Sequence, residues 1–217
     1  MALAIFDLDD TLIDGDCASL WNDRMVALGW VDGESFIRKD RELMALYAEG
    51  KLAMEDYMAF SLSPLVGRST EEVDYVVGPF VEDIIEPLIH SDATRCLSRH
   101  REAGDRLLII SASAHFLVSS IGGRLGVEEV LAIDLDERQG AYSGLTRGVL
   151  TYREGKVLRL NAWLKEQGES LAGAHFYSDS RNDLPLLSIV ENPRVVNPDP
   201  ALRAHAEEAG WPILNWR

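Results

Sequence analysis

The chain has 217 residues, enough for one domain with an inserted subdomain and too few for several independent domains. Hydrophobic residues make up 47% of the sequence and charged residues 26%, a balance that excludes a disordered or fibrous protein. The net charge of −15 disfavours binding to nucleic acid or to anionic lipid, because both need basic surfaces.

The first predicted element is a buried strand. Residues 2–8 form an apolar run that is too short for a helix and typical of a strand covered on both faces. The carboxylates at and after the end of this run are Asp7, Asp9, Asp10, Asp14 and Asp16. Between residues 17 and 89, apolar residues recur at helical spacing without a strong strand pattern, which predicts a helical insertion.

The rest of the chain alternates between helix and strand patterns. Helices are predicted at residues 94–103, 116–121, 156–167, 184–190 and 202–209. Strands are predicted at residues 106–111, 130–135, 175–178 and 194–197, with a hairpin at 136–149. This alternation predicts an α/β fold with a parallel sheet that helices cover on both faces.

Polar residues cluster where the predicted strands end. They are Asp7 and Asp9 after the first strand, Ser111 and Ser113 after the second, and Asp179 and Asp183 after the fourth. In a parallel sheet these positions meet at one edge. Grouped carboxylates need a counter-cation, and hard oxygen ligands that also admit phosphate favour Mg²⁺ over zinc.

Lys156 and Ser111 would add a cation and a hydroxyl, which together with a metal ion suit phosphate binding. One carboxylate could then attack phosphorus, and a second carboxylate two residues later, Asp9, could act as acid and base. Each residue alone also has a simpler interpretation. Acidic loops are common, and carboxylates are favoured at helix N-termini without any catalytic role.

Four motifs in order resemble those of the haloacid dehalogenase superfamily. They are Asp7-Leu-Asp9-Asp10-Thr11, the apolar strand ending in Ser111, Gly155-Lys156, and Ser178-Asp179-Ser-Arg-Asn182-Asp183. The resemblance covers nearly the whole chain and implies a Rossmann-like core with a parallel sheet and an inserted helical C1 cap. Two positions depart from the usual pattern, since Ser178 replaces a glycine and Ser111-Ala-Ser113 replaces the Ser-Gly-Gly of phosphoserine phosphatases.

The resemblance also implies a role for each motif residue. Asp7 would be the nucleophile and Asp9 the general acid and base of a phosphatase. Mg²⁺ would be held by Asp7, the backbone carbonyl of Asp9, and Asp179, with Asp183 supporting the metal site. The residues implied for phosphate binding are Ser111, Lys156, Thr11, Asp10 and Ala112. Asn182 is expected to support the site from beside Asp183.

Within the superfamily, the chain resembles the phosphoserine phosphatase group, subfamily IB, in having its helical insertion between the first and second motifs. This resemblance predicts a core of residues 1–15 and 90–217 and a cap of residues 16–89. The stretch between Ser111 and Lys156 is too short for a second large cap.

Three residues of the insertion are candidates for substrate specificity. Asp16 is expected to face a substrate amine, or else to cap the first helix of the insertion. Arg38 and Arg41 are candidates for holding a substrate carboxylate, or else they belong to a solvated face of mixed charge.

An amine site without a carboxylate site favours an amino-alcohol phosphate. The chain also resembles members of subfamily IB that act as histidinol-phosphatases, and this resemblance favours L-histidinol phosphate, which carries an amine and no carboxylate, over O-phosphoserine. The aromatic residues Trp21, Trp30 and Tyr47 could stack on an imidazole, although aromatics at helical spacing are more often core. The alternatives are a lipid phosphatase similar to phosphatidylglycerophosphatase and, in another class, a non-catalytic module of the same fold that binds phosphometabolites or a protein partner.

The remaining expectations concern location and partners. No signal-peptide pattern and no apolar run of membrane-spanning length is visible, so we expect a cytoplasmic enzyme with no stable membrane association. The expected partner is a small phosphomonoester, and no pattern indicates an oligomeric state. Cys17 and Cys96 are expected to be buried and unpaired. His115, four residues after Ser111, is the histidine expected nearest the site.

Overall fold

The computed structural model describes residues 2–217, which form a seven-stranded sheet in the order β4-β3-β2-β1-β5-β6-β7. The strands are β1 (Leu3–Phe6), β2 (Arg106–Ala114), β3 (Val130–Arg138), β4 (Ala141–Arg147), β5 (His175–Ser178), β6 (Asn192–Val196) and β7 (Ile213–Leu214). Neighbouring strands are parallel except β3 and β4, which form an antiparallel hairpin. The predicted α/β fold class is confirmed.

Nine α-helices surround this sheet in the described part of the chain. They are α1 (Cys17–Ala27), α2 (Gly33–Ala48), α3 (Met54–Leu62), α4 (Thr70–Phe80), α5 (Ser91–Glu102), α6 (His115–Leu125), α7 (Glu154–Gln167), α8 (Leu184–Leu187) and α9 (Pro200–Ala209). The first four helices and three short turns of 3₁₀ or π type, at Ser63–Leu65, Val81–Ile85 and Glu86–Leu88, fill the predicted helical insertion between β1 and β2.

The alternation of side chains along β1 explains the two-sided burial of the sheet. Ala4 and Phe6 enter one hydrophobic core, whereas Leu3 and Ile5 enter the other, and all four are almost fully buried. The first core continues into helices α1 to α4, and the second packs against α7, α8 and α9. A parallel strand buried on both faces is apolar at every position, which is why residues 3–6 carry no polar alternation.

The hairpin at the sheet edge also contacts the helical insertion. The stretch of chain between Leu65 and α4 runs beside β4. Gly67 N–H donates to the Tyr142 carbonyl, and Tyr142 N–H donates to the Arg68 carbonyl, both at 2.9 Å. Thr70 N–H donates to the Gly140 carbonyl at 2.9 Å. β4 therefore pairs with β3 on one side and with this part of the insertion on the other.

Several predicted boundaries differ from the observed ones. β2 continues past Ser111 to Ala114, because its pairing with β3 is shifted between Ile110 and Ala114 and the strand resumes beyond the irregularity. The predicted helix at 184–190 ends at Leu187. The two-residue strand β7 was not predicted, because Ile213 and Leu214 are too few to show an alternating strand pattern. No helix among residues 2–217 is both long and apolar enough to span a bilayer.

Candidate active site

The ends of three adjacent strands bring the predicted site residues together. In the sheet, Phe6 of β1 lies beside Ile109 of β2 and Tyr177 of β5. The residues that follow these positions are Asp7 and Asp9, Ser111 and Ser113, and Asp179 and Asp183. The Asp7 N–H donates to the Tyr177 carbonyl at 2.9 Å, which extends the sheet ladder to Asp7. Parallel pairing thus places all three groups at one edge.

A buried lysine joins two of the carboxylates. Lys156 Nζ lies 2.8 Å from Asp7 Oδ1 and 2.8 Å from Asp183, and the three side chains are almost completely buried. Burial alone would lower the pKa of Lys156, but the charges of Asp183 and Asp7 raise it above its ordinary value. The ammonium group is therefore a permanent cation held against Asp7.

The start of α7 aims Lys156 into the site. Gly155 lies so close to the Leu150 carbonyl oxygen that a Cβ atom at this position would be 1.9 Å from it. Arg153, which precedes the helix, has a left-handed φ of 51° that non-glycine residues seldom adopt. This tight turn explains the glycine of the Gly155-Lys156 motif, because any side chain there would displace the lysine.

Asp183 is fully engaged in supporting Lys156. One of its oxygens also accepts a 2.7 Å hydrogen bond from the Ser178 hydroxyl. Ser178 occupies the position where a glycine was expected, and its hydroxyl provides a donor that glycine lacks. Asp183 therefore lies beside Lys156, and Lys156 in turn contacts Asp7.

Asp9 is held by three donors and remains partly accessible. Its Oδ1 accepts from the Cys17 N–H at 2.7 Å. Its Oδ2 accepts from the Ser113 hydroxyl at 2.8 Å and from the Ser111 hydroxyl at 3.3 Å. Ser113, which the sequence places with Ser111 after the second strand but without an assigned role, therefore belongs to the site. Its spacing of two from Ser111 puts both side chains on one face of β2.

Asp179 is positioned by a buried threonine. The Thr11 hydroxyl donates to Asp179 Oδ1 at 3.0 Å and accepts from the Asp179 N–H at 3.1 Å. Burial and the nearby charge of Asp7 raise the pKa of Asp179 well above its ordinary value. Burial is also the largest effect on Asp7 and raises its pKa, against the opposing charge of Lys156. A cation between these carboxylates would stabilise both in their ionised forms.

The donor set fits Mg²⁺. Within residues 2–217, no three His, Cys, Asp or Glu side chains converge as a preformed cage. Mg²⁺ does not need one, because it is commonly bound by one or two carboxylates together with water and substrate phosphate. Asp7 and Asp179 supply two such carboxylates, and of these only Asp7 contacts a cationic side chain, that of Lys156.

A small cavity opens onto these residues. Its floor contains Asp7, Asp9, Ala112 and Ser113. Its other walls come from the helical insertion and include Asp16, Ala18, Met44, Tyr47, Leu52, Met54 and Tyr57. Neither lysine nor arginine is among these lining residues, so the cavity is acidic at its floor and otherwise apolar or aromatic.

Asp16 caps the first helix of the insertion and also lies in the cavity wall. It is the N-cap of α1, and its Oδ1 accepts from the Ser19 N–H at 2.7 Å. It also lines the cavity, where burial and the charge of Asp9 raise its pKa well above the ordinary value. A capping residue therefore presents an uncompensated carboxylate to the cavity.

Other predicted residues lie elsewhere. Arg38 and Arg41 are exposed on α2 and line a surface groove with Val26 and Glu34, as expected of a solvated face. His115 is exposed at the start of α6, in a groove separate from the site cavity. Asp10 is exposed, with its N–H bonded to the Gly15 carbonyl.

Asn182 connects the core to the helical insertion. Its Nδ2 donates to the Tyr47 carbonyl at 3.2 Å, and its Oδ1 accepts from the Tyr152 hydroxyl and from Arg153 Nε, each at 3.2 Å. Arg153 also donates to the Gly50 carbonyl. The sequence carried no signal for Arg153, because its importance depends on a contact with a distant part of the chain.

Comparison with known proteins places the chain in a family. The model of the haloacid dehalogenase-like hydrolase family matches residues 4–188. The chain is 36% identical over 219 residues to a histidinol-phosphatase of Neisseria meningitidis serogroup C (strain 8013), and the match covers 99% of each. It is 28% identical to phosphoserine phosphatase SerB1 of Mycobacterium tuberculosis (strain ATCC 25618 / H37Rv), over 100% of this chain and 71% of that protein.

Solved structures share the fold. A protein of unknown function from Bordetella pertussis Tohama I superposes with a TM-score of 0.91 at 35% identity, covering 98% of this chain and 97% of that one. A substrate-bound phosphoserine phosphatase superposes with a TM-score of 0.72 at 19% identity, covering 98% and 92%, which shows a common fold. The chain belongs to the haloacid dehalogenase-like hydrolase family, and it is a phosphatase.

Proposed function

We propose that the protein hydrolyses a small, amine-bearing phosphomonoester in a Mg²⁺-dependent reaction through an aspartyl-phosphate, and that the substrate is L-histidinol phosphate. The observation that carries this proposal is the placement of Asp7, Asp9 and Asp16 around one cavity. A nucleophile, an acid and base, and an uncompensated carboxylate for an amine then face the same small space.

In the first half of the reaction, a carboxylate oxygen of Asp7 attacks phosphorus. The new Asp7–phosphorus bond forms as the bond from phosphorus to the alcohol oxygen breaks, and Asp9 gives its proton to that oxygen. Lys156 orients Asp7 through their 2.8 Å contact and offers positive charge to the phosphoryl oxygens. Ser111, whose hydroxyl lies within reach of Asp9, would donate to a phosphoryl oxygen when substrate is bound.

In the second half, Asp9 removes a proton from water while the water oxygen attacks the phosphorus of the aspartyl-phosphate. The Asp7–phosphorus bond breaks, and inorganic phosphate and free Asp7 result. The hydrogen bonds from Cys17 N–H and Ser113 hold the Asp9 carboxylate in place for both proton transfers.

Asp7, Asp179 and the backbone carbonyl of Asp9 would hold Mg²⁺, which when bound supplies positive charge that offsets the repulsion between the substrate phosphate and these carboxylates. Thr11 contributes by fixing one oxygen of Asp179. Asp183 contributes through Lys156, since its own oxygens are engaged by Lys156 and Ser178.

We also propose that residues 16–89 act as a cap over a core of residues 1–15 and 90–217. Most walls of the cavity come from this segment, and Asn182 and Arg153 fasten it to the core at Tyr47 and Gly50. A closed cap would exclude bulk water from the phosphoryl group. The hydrolytic water would then be the one from which Asp9 removes a proton.

Two observations favour an amino-alcohol phosphate. Asp16 supplies an anion for an ammonium group, whereas the cavity lining contains no guanidinium that could bind a substrate carboxylate. The relative that matches over 99% of its length is named a histidinol-phosphatase. O-Phosphoserine stays the second candidate because other relatives are named phosphoserine phosphatases.

The experiment compares phosphate release from L-histidinol phosphate, O-phospho-L-serine and an aryl phosphate, with Mg²⁺ and with chelator. We expect a higher kcat/KM for histidinol phosphate, loss of activity with chelator, and no turnover by Asp7→Asn. Asp16→Asn should lower kcat/KM for the amine-bearing substrates more than for the aryl phosphate. Near wild-type activity in Asp7→Asn would show that the nucleophile is wrongly assigned. A higher kcat/KM for O-phospho-L-serine than for L-histidinol phosphate would make phosphoserine the proposed substrate instead.

A further inference from the structure

Two serines of β2 donate to the same oxygen of Asp9. The Ser113 hydroxyl lies 2.8 Å from Asp9 Oδ2, and the Ser111 hydroxyl lies 3.3 Å from it. Both serines are buried, so both hydroxyls are shielded from bulk water. The shorter contact is the stronger hydrogen bond, because hydroxyl donors bind carboxylates best at short distances. Ser113 is therefore the principal donor to Oδ2.

The backbone of Ser113 fixes the direction of the Ser111 hydroxyl. Ser111 Oγ accepts from the Ser113 N–H at 3.0 Å, and this bond occupies one of its lone pairs. It lies within the irregular stretch of β2, between Ile110 and Ala114, where the pairing with β3 shifts. The proton of Ser111 is then free to donate towards Asp9 or towards a bound phosphoryl oxygen.

The two serines differ in what they can do when substrate binds. Ser111 is the hydroxyl proposed for a phosphoryl oxygen, and it cannot give its single proton to that oxygen and to Asp9 at once. Ser113 can remain on Oδ2 when Ser111 turns away. With the Cys17 N–H on Oδ1 and Ser113 on Oδ2, both oxygens of the carboxylate stay held.

The lone pairs of Asp9 indicate which of its oxygens can carry a proton. A carboxylate has about four lone-pair positions, and three of them accept from Cys17, Ser111 and Ser113. When Ser111 turns to the phosphoryl group, it releases one position on Oδ2. This position lies on the side of Asp9 that faces Ser111, and therefore on the side of the phosphoryl group that Ser111 binds.

We propose that Ser113 is a positioning residue, which holds Asp9 while Ser111 binds the phosphoryl group, and that Asp9 transfers its proton from Oδ2. This proton passes to the alcohol oxygen as the bond from phosphorus to that oxygen breaks and the Asp7–phosphorus bond forms. The site then suits phosphate esters of ordinary alcohols, whose oxygen leaves poorly without a proton. A nitrophenol leaves as a stable anion and depends little on Asp9. This inference rests on the proposed function, which assigns proton transfer to Asp9.

The test compares an alkyl ester with an activated aryl ester on the same enzyme. The alkyl ester is L-histidinol phosphate or O-phospho-L-serine, whichever the wild type hydrolyses with the higher kcat/KM, and the aryl ester is para-nitrophenyl phosphate. The measured quantity is the ratio of the alkyl to the aryl kcat/KM, which partial unfolding of a sample does not change. We expect Ser113→Ala to lower this ratio by about 10- to 100-fold, the effect of one hydrogen bond to a charged group.

Ser111→Ala should give a different pattern from Ser113→Ala. It removes a donor to the phosphoryl group that both esters share, so kcat/KM should fall for both and the ratio should stay near that of the wild type. Ser113→Thr keeps the hydroxyl and should restore the ratio. The matched control is Ser35→Ala, because the exposed Ser35 also donates to a carboxylate, that of Asp32 at 3.4 Å. This control should leave both values of kcat/KM unchanged.

An unchanged ratio in Ser113→Ala, or an equal loss on both esters, would overturn the inference, since a purely structural role affects both esters alike. Asp9→Asn separates this result from the proposed function. If Asp9→Asn lowers the ratio and Ser113→Ala does not, the acid role of Asp9 stands and the inference alone fails. If Asp9→Asn leaves the ratio unchanged, Asp9 is not the acid, and the inference fails with that assignment.

The double variant tests whether Ser113 acts through Asp9. We expect Ser113→Ala to lower the ratio no further once Asp9→Asn is present, because the group that Ser113 positions is already lost. A further loss of the ratio in the double variant would mean that Ser113 acts on the leaving group by another route, and would overturn the positioning role.

Discussion

Four aspartates of the same chemistry have different roles because their neighbours differ. Asp7 is bonded to Lys156, Asp183 is bonded to Lys156 and Ser178, and Asp179 is bonded to Thr11. Asp9 is held by three neutral donors and stays partly accessible, which suits the proposed gain and loss of a proton. The position of each aspartate in its motif predicts its role, and the contacts of its side chain explain why the roles differ.

Replacing Asp9 by Asn should slow turnover by about 10² to 10⁴-fold, the usual contribution of general acid–base catalysis. The amide keeps an oxygen that can accept from Cys17 N–H, so the fold and the binding of a phosphate analogue should be retained. Steady-state phosphate release gives the rate, and a melting-temperature shift with Mg²⁺ and beryllofluoride gives the binding. Asp14→Asn, at an exposed carboxylate nearby, is the control. Full activity in the Asp9 variant would remove Asp9 from the proposed mechanism.

The sequence allowed the carboxylates, Ser111 and Lys156 to be predicted, because each belongs to a motif at a strand end or helix start. Tyr57 could not be predicted in the same way. It lies on α3 with the spacing of an ordinary core residue, and its place in the cavity wall depends on how α3 packs in the folded protein. Residues that form a site through tertiary packing leave no local pattern.

Among the elements, the connection into α7 has the most demanding backbone geometry at the site. Arg153 adopts a left-handed conformation, Gly155 packs against the Leu150 carbonyl, and Lys156 follows immediately. The helix itself was predicted from its apolar spacing and its closing Gly168. The irregular start of the helix was not predicted, because its backbone conformation depends on where the preceding hairpin ends.

Gly155→Ala should therefore destabilise the protein by roughly 1–3 kcal/mol, as overpacking does, and should also displace Lys156 and lower kcat. The matched control is Gly123→Ala in the interior of α6, where a Cβ meets nothing within 4 Å. That substitution should be neutral or stabilise by up to about 1 kcal/mol. Urea unfolding of both variants measures the difference, and equal stabilities would contradict the steric argument.

At the scale of the whole molecule, the net charge of −15 works against compactness. Much of this charge is dispersed over the surface, where salt screens it, while Asp7, Asp9, Asp16 and Asp179 are concentrated around the site. The two populations should respond differently to added cations, because screening depends on ionic strength whereas binding depends on the identity of the ion.

We expect the melting temperature to rise with NaCl, and to rise further with MgCl₂ at equal ionic strength. The additional effect of MgCl₂ should disappear in Asp179→Asn, which keeps a side chain that can accept from Thr11 but removes the charge. Differential scanning calorimetry measures both effects. If NaCl and MgCl₂ act equally on the wild type, the site does not bind Mg²⁺ in the absence of substrate phosphate.

The double pairing of β4 limits how the active site can open. Since residues 67–70 are bonded to the sheet edge, a rigid swing of all four helices would have to break that ladder. The chain from Met44 to Met54 is held instead by the contacts at Tyr47 and Gly50, and it contributes Met44, Tyr47, Leu52 and Met54 to the cavity wall. We expect substrate exchange to proceed by local opening of this short segment, and hydrogen exchange of its amides measures that opening.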